Sequence, residues 1–331
     1  MLMNLARLCL LSLLIACCVL PDPARGNDSE SRRPAPDAPL FTGTLLSTRA
    51  STVEPGHWVV QPYFYSTRFG GLYNNNWRLQ SAGLTRTNTL QTYLWYGLTN
   101  RIDVMIAPQW VSNHAGDESS VGFGDFPLQV GFQALRDRAD SWLPDVRIWV
   151  QETFPTGRFS QLSPTKTGLT GAGGGSFVTT LSIGAQKLIW LTEDHAFRYR
   201  LNASYGFHSP VTVQGFNSYG GGFGTQGTVH PGSVTTLIIA GEYTLTRQVI
   251  LALDIGVQIA NATRFSGITG VGVNGEPTTV GKGYNEVLTV APAVEYIWNE
   301  HIRAIAGPWF SLSGRNTAEF FGVVASIYLF I

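Results

Sequence analysis

Cysteine is missing after position 18: Cys9, Cys17 and Cys18 all stand in the first twenty residues. The rest of the chain therefore has neither a disulfide framework nor a thiolate metal site. Charge is scarce too. Asp, Glu, Lys and Arg make up 13% of the 331 residues, about half their share in an ordinary soluble domain, and three of them are lysines. Formal net charge is zero, which removes any global pull toward nucleic acid. Past the leader no apolar run approaches the ~18 residues of a membrane-crossing helix, and no long stretch repeats at the ~3.6-residue helical period. What abounds is glycine, at 37 residues, and aromatics, at 12%. With much Thr and Val beside them, this composition suits β-structure whose surface largely faces something other than water.

The first 26 residues read as a secretory signal peptide. Arg7 precedes an apolar run from Leu8 to Leu20, and Ala24 and Gly26 supply small residues for a cut after Gly26. The run is too short to span a membrane. A second reading stands beside it: Leu14-Ile15-Ala16-Cys17 resembles a lipoprotein signal, which would lipidate Cys17. Residues 27–56 follow as a flexible N-terminal segment, polar and Pro-rich over 27–40.

From 57 to 331 the recurring pattern is alternation. "LTVAPAVEYIW" puts Leu288, Val290, Pro292, Val294, Tyr296 and Trp298 on one face, and Thr289, Ala291, Ala293, Glu295 and Ile297 on the other. "VILALDIGVQI" separates Val249, Leu251, Leu253, Ile255 and Val257 from Ala252, Asp254, Gly256 and Gln258. One face is complete and apolar; the other is small or polar with an occasional charge. Twelve such segments are predicted, at about 57–67, 87–97, 101–111, 123–135, 145–154, 176–190, 195–207, 233–245, 249–263, 285–298, 302–312 and 318–331. Most reach the ~9–11 residues a tilted strand needs to cross a bilayer.

The connections alternate in length. Short turns fall at 98–100, 191–194, 246–248 and 299–301, with a medium one at 136–144. Long Gly/Ser/Thr/Asn-rich loops fall at 68–86, 112–122, 155–175, 208–232 and 264–284, and 313–317 is short where a long loop is due. Short turns on one side and long loops on the other mark an antiparallel transmembrane β-barrel of the outer membrane, here with about 12 strands. Aromatics stand next to the short turns, at Tyr96, Trp190, Tyr243, Tyr296 and Trp298, as an interfacial girdle requires. The stretch "GFGDFPLQVGF" at 122–132 imitates a nucleotide-binding loop. Pro127 forbids the helix such a loop needs, and Phe126, Leu128, Val130 and Phe132 alternate as a lipid-facing set, which turns Asp125 inward at the rim.

The ordered set "EPGHWVVQPYFY", "YGLTNRIDV", "GFGDFPLQVGFQAL", "FPTGRF", "LSIGAQKLI" and the closing "GRN" before the last strand spans most of residues 50–331. It resembles the outer-membrane proteins grouped under the putative meta-pathway of phenol degradation. The resemblance implies a β-barrel that carries hydrophobic or aromatic small molecules in the Gram-negative outer membrane. The family brings no catalytic residues. It is distantly similar to the long-chain fatty-acid transporters, whose plugging N-terminal domain has no counterpart in a segment as short as 27–56.

With apolar faces turned to lipid, strand parity sends nine charges inward: Asp103, Asp125, Arg147, Arg198, Arg200, Glu242, Asp254, Glu295 and Arg303. On the lipid face each would cost about 2–4 kcal/mol near the midplane. Two roles are open, an ion-pair network that braces or plugs the lumen and a constriction that selects polar or anionic permeants. Arg198 and Arg200 share a face and form the candidate anion-sensing pair. In the loops, "TGLTGAGGGSF" and "GFNSYGGGFGTQG" lack the Lys-Ser/Thr and the helix of a phosphate loop, while Phe216, Tyr219 and Phe223 stand where they can cap the mouth.

No catalytic residue, metal site or cofactor is expected. His208 and Ser209 are adjacent and point to opposite faces, Asp194-His195 lies in a turn, and His57, His114, His230 and His301 have no ligand-like spacing. Three classes of function remain: a passive transporter or channel for small, hydrophobic molecules; a structural or surface-interaction barrel with a filled lumen; and a membrane-embedded lipid hydrolase. The expected partners are outer-membrane lipid, a small-molecule permeant and the assembly machinery that reads an apolar last strand such as "FFGVVASIYLFI". The N-terminus is expected on the periplasmic side.

Overall fold

A computed structural model describes residues 39–137, 142–166 and 168–331. The signal peptide, Cys17 and the start of the N-terminal segment lie outside these residues. Extended segments form at β1 (Trp58–Tyr73), β2 (Leu79–Gly97), β3 (Ile102–Ile106), β4 (Gln109–Ala115), β5 (Glu118–Phe123) and β6 (Phe126–Leu135). They continue with β7 (Asp145–Phe154), β8 (Val178–Trp190), β9 (Ala196–His208), β10 (Val211–Gln214), β11 (Gln226–His230) and β12 (Val234–Thr244). The last are β13 (Val249–Ala260), β14 (Arg264–Ile268), β15 (Asn285–Ile297), β16 (Ile302–Arg315) and β17 (Thr317–Phe330).

β3 and β4 are halves of one barrel strand, both paired with β2 and interrupted at Ala107-Pro108. β5 and β6 are halves of the next, interrupted at Gly124-Asp125. Each pair counted once, twelve antiparallel strands run in chain order, and β1 closes the barrel by pairing with both β2 and β17. These are the twelve strands expected from alternation. Closure leaves no sheet edge, which is what allows a β-structure to stand in lipid.

The two faces separate as the period of two requires. On β13, Leu251, Leu253 and Ile255 are 42–44% exposed, while Ala252 and Asp254 are 5% and 0% exposed. The outer wall is thus apolar and the inner wall polar. Two bands of outward aromatics mark its ends. At the short-turn end, Tyr96 packs on Trp58 (4.6 Å between ring centroids), Tyr243 stacks on His195 (5.5 Å), Tyr296 meets Trp298 (4.9 Å), and Trp190 is exposed. At the other end stand Trp110–Phe123 (5.6 Å), Phe154–Phe177 (6.0 Å), Tyr205–Phe207 (5.1 Å) and Phe310–Phe321 (5.9 Å).

Three loop expectations change. Residues 68–86 are not a long loop: β1 and β2 continue to the pair Tyr73–Leu79. Likewise 112–122 is mostly the ladder of β4 and β5, ending at Ala115–Glu118. Beyond the hydrocarbon layer both faces of a strand meet polar surroundings, so the apolar alternation fades while the backbone ladder persists. The loops 208–232 and 264–284 carry a small sheet of their own, in the order β10-β11-β14.

Candidate functional site

Residues 39–56 depart most from expectation. Read as the flexible end of the processed chain, they are held inside the barrel by side chains of its inner wall. The Val53 N–H donates to Asp103 (3.1 Å), Thr52 N–H to Gln133 (2.7 Å) and Ala50 N–H to Gln186 (3.0 Å). Further along, Ser47 and Leu46 N–H donate to the Asp254 carboxylate (3.1 and 3.3 Å), and Thr42 N–H to Glu295 (2.5 Å). The Phe41 carbonyl accepts from Arg303 Nη1 (2.7 Å). Followed from residue 53 back to 41, the partners advance in order from β3 through β6, β8 and β13 to β15 and β16. The segment follows the wall and uses inward side chains in place of a strand ladder. Its entry needs glycine at 97, where a Cβ would run into the Glu54 carbonyl.

Two buried ionic clusters underlie it. Arg147 pairs with Asp103 at 2.5 Å, and both side chains are fully buried. The Arg147 guanidinium lies over Trp95 (5.1 Å) and Trp149 (5.2 Å), and Arg49 of the segment also lies over Trp95 (4.8 Å). Desolvated contacts of this kind contribute about 2 kcal/mol. Gly131 makes room for it, since a Cβ there would strike the Arg147 guanidinium. The second cluster centres on Glu242. It accepts from Arg198 through Nε (2.6 Å) and Nη2 (2.7 Å), and Arg200 Nε stands 3.2 Å away. The Arg198 guanidinium also covers the ring of Phe41 (4.0 Å).

Of the nine inward charges, Asp103, Arg147, Arg200, Glu242, Asp254 and Glu295 are buried, and Arg198 and Arg303 are partly buried. Arg198 and Arg200 do share a face, as parity requires, but both are turned onto one carboxylate. Asp125 stands apart at the opposite rim, where it accepts from Gly157 N–H (2.9 Å) and Gly174 N–H (2.7 Å) of the 155–175 loop.

The wall that faces the segment's other side, partly packed against Leu45, Leu46 and Val53, was not singled out by sequence. It belongs to β16, β17, β1 and β2, and it is aromatic. Tyr63 stacks on Tyr65 (5.7 Å) and meets the edge of Tyr93 (5.5 Å), Tyr65 meets Trp309 (6.4 Å), and Tyr93 stacks on Trp95 (6.5 Å). Between this wall and residues 42–49 lies a cavity of about 300 Å³. Arg49, Gln61 and Arg200 line it as well. Among the described residues, Trp309 Nε1–H on the cavity wall has no hydrogen-bond partner.

The outer end is covered by loops. Val211, Val213 and Val229 form a small buried core with Phe159, Tyr219 and Phe265 packed on it. Of the three loop aromatics, Phe216 and Phe223 meet edge-to-face (5.2 Å), with Phe223 51% exposed. Tyr219 turns in, and its hydroxyl donates to the Gly174 carbonyl (2.6 Å). Burial, with the Asp125 carboxylate beside it, pushes this phenol up to about 12, so it remains a donor at neutral pH.

The Ser209 hydroxyl accepts from Phe177 N–H (2.9 Å), which ties it to the backbone of a neighbouring strand. Among the described residues no group of three or more His, Cys, Asp or Glu is arranged to hold a metal ion.

No family model matches the chain, and no curated protein does. Among solved structures it is similar to the COG4313 outer membrane channel from Pseudomonas putida F1. Identity is 14%, covering 85% of this chain and 98% of that one, with a TM-score of 0.64. Fainter likenesses reach the beta domain of the Bordetella autotransporter Brka (9% identity, 82% and 99% covered, TM-score 0.42) and a TodX monoaromatic hydrocarbon channel mutant (10%, 84% and 90%, 0.37). The first likeness shows the fold, a transmembrane β-barrel of the outer-membrane type.

Proposed function

We propose that this protein is an outer-membrane channel or passive transporter for small hydrophobic molecules, aromatic ones in particular. The observation that carries the reading is the cavity of about 300 Å³ walled by Tyr63, Tyr65, Tyr93, Trp95 and Trp309. Such rings offer apolar faces for a planar guest and hydroxyl or indole edges for one polar substituent. The resemblance in sequence to the phenol meta-pathway proteins supports the same class of permeant. In this reading the short turns and the N-terminus are periplasmic, the long loops extracellular, and the two aromatic bands lie at the membrane interfaces. The assembly machinery recognises β17. Eight of the nine inward charges serve residues 39–56: Asp103, Asp254 and Glu295 hold the segment, and the arginines and Glu242 form the charged wall behind it, while Asp125 holds the 155–175 loop. No catalytic role falls to any of them.

The test uses tryptophan fluorescence of the purified barrel, since Trp95 and Trp309 line the cavity. Titration with monoaromatic hydrocarbons should quench it saturably. Trp309→Ala and Tyr65→Ala should each weaken binding by about tenfold, as expected for loss of an aromatic partner worth ~1–1.5 kcal/mol. Liposomes carrying the protein should take up the same compounds faster than empty ones. Absence of both saturable quenching and assisted uptake would refute the proposal.

One observation favours a second reading, a structural barrel with a filled lumen: residues 39–54 and two ionic clusters occupy much of the interior. Deleting residues 158–172 separates the two. Loss of partner binding at the cell surface with unchanged uptake would favour the structural barrel.

A further inference from the structure

On the outer wall, two arginines face each other. Arg68 on β1 stands directly opposite Arg86 on β2, and Arg86 stands opposite His114 on β4. All three have lipid-side parity: each lies four residues along its strand from an exposed apolar residue, Phe64 (48%), Leu90 (45%) and Trp110 (48%) respectively. On its other side Arg68 is paired with Phe321 of β17, which belongs to the aromatic band at the long-loop end. Arg68 therefore sits where hydrocarbon gives way to head groups, and the row continues outward through Arg86 to His114, four residues beyond Trp110 of the same band and so among the head groups.

Directly opposed like charges on a sheet are destabilising, with Cβ atoms only about 4.5–5.5 Å apart. Several other cations are matched to acids: Arg147 to Asp103, Arg198 to Glu242, and Lys166 to Glu118. Among the described residues Arg68 and Arg86 enter no ion pair, and both are exposed. His114 is oriented by Ser112, whose hydroxyl lies 2.9 Å from Nε2. Two planar guanidiniums side by side at head-group height match the oxygens of one phosphate, which each can contact in bidentate fashion.

We infer that Arg68 and Arg86, flanked by His114, bind a phosphate of the phosphorylated glycolipid in the outer leaflet. The anion cancels the repulsion between the two arginines, and Phe321 and Trp110 pack against the first methylenes of the acyl chains. The site faces the membrane and is independent of what the lumen carries.

The full chain in lipid nanodiscs provides the test, with added lipid A counted by native mass spectrometry. Diphosphorylated lipid A should bind the native protein at least about tenfold more tightly than its dephosphorylated form, the change expected from charge-assisted contacts. Arg68→Gln with Arg86→Gln should abolish that preference, while Arg264→Gln, a neutralised arginine on an outer loop, should keep it. Equal binding of the two lipids by the native protein, or an equal loss in Arg264→Gln, would overturn the inference. Heat-modifiable gel mobility reports folding. Should the double variant fail to fold, the two-lipid comparison on the native protein still decides.

Discussion

The grip of the barrel on residues 39–54 can be loosened without opening the barrel itself. Asp254 and Glu295 take three main-chain N–H groups of the segment, those of Leu46, Ser47 and Thr42. Replacing them as Asp254→Asn and Glu295→Gln removes the charge and leaves one acceptor oxygen at 254, where the carboxylate uses one oxygen for Leu46 and the other for Ser47, so one of those two bonds is lost. Hydrogen bonds to charged groups contribute about 1.5–3 kcal/mol and neutral ones about 0.5–1.5, so each retained bond weakens by roughly 1 kcal/mol and the weaker of the two at position 254 is lost. The Leu46 contact is long at 3.3 Å, which puts the sum at about 2–3 kcal/mol. That corresponds to a rise of about 30- to 150-fold in the undocked population.

Trypsin reads this population directly. Arg49 is 18% exposed and lies within the lumen, where a protease cannot reach it, while Ala50 on the far side of the scissile bond is fully buried. Cleavage after Arg49 therefore requires undocking, and its rate follows the open fraction when reclosure is fast. The double variant should release the fragment ending at Arg49 about 30- to 150-fold faster than the native protein, followed by mass spectrometry. Bilayer recordings should show more frequent openings. If the fragment appears equally fast from both proteins while both remain folded by gel mobility, the carboxylates do not hold the segment.

Two further outcomes follow from buried contacts. Glu242→Gln leaves Arg198 and Arg200 without their shared counter-charge in a site where Glu242 is fully buried, and should lower stability by about 3 kcal/mol, read from reversible guanidinium unfolding in detergent; a change below about 1 kcal/mol would contradict the assignment. Asp125→Ala removes both acceptors for Gly157 and Gly174, and should speed hydrogen exchange at those amides by at least about tenfold with barrel amides unaffected.

The barrel is legible in sequence because membrane and lumen impose opposite demands on successive residues. Where that contrast holds, as on β13 and β15, parity alone places Asp254 and Glu295 inside. Where it fades, the reading fails for a physical reason. Residues 112–122 form strand beyond the hydrocarbon layer, where both faces meet polar surroundings, so no alternation announces them. Residues 39–56 are legible even less. Their backbone donors are satisfied by Asp103, Gln133, Gln186, Asp254 and Glu295 of distant strands, and nothing in "FTGTLLSTRA" itself records those partners. The trace is on the wall: buried acids and glutamines whose lone pairs exceed what the arginines can fill.

The aromatic wall escapes for a different reason. Aromatics on barrel strands are expected outside, at the interfaces, and most of those in this chain are there. On β1, however, rings fall on both parities: Phe64 outside, Tyr63 and Tyr65 inside. The distinguishing mark is the hydroxyl together with the neighbours Gln61 and Thr67, which share the inner face. Gln61 Nε2 donates to the Tyr63 hydroxyl (3.0 Å), and the Tyr93 hydroxyl to Gln91 (3.0 Å). A tyrosine at i and i+2 with glutamine on the same face satisfies its hydroxyl within the wall and needs no head group to do so. The inner surface is thus divided by chemistry. An arc of acids, glutamines and arginines is consumed in holding residues 39–54, and an arc of aromatics, its Tyr63 and Tyr93 hydroxyls satisfied within the wall, borders the cavity. Residues 42–49 form one side of the cavity and the aromatics the other, so the docked N-terminal segment is part of the cavity's own wall.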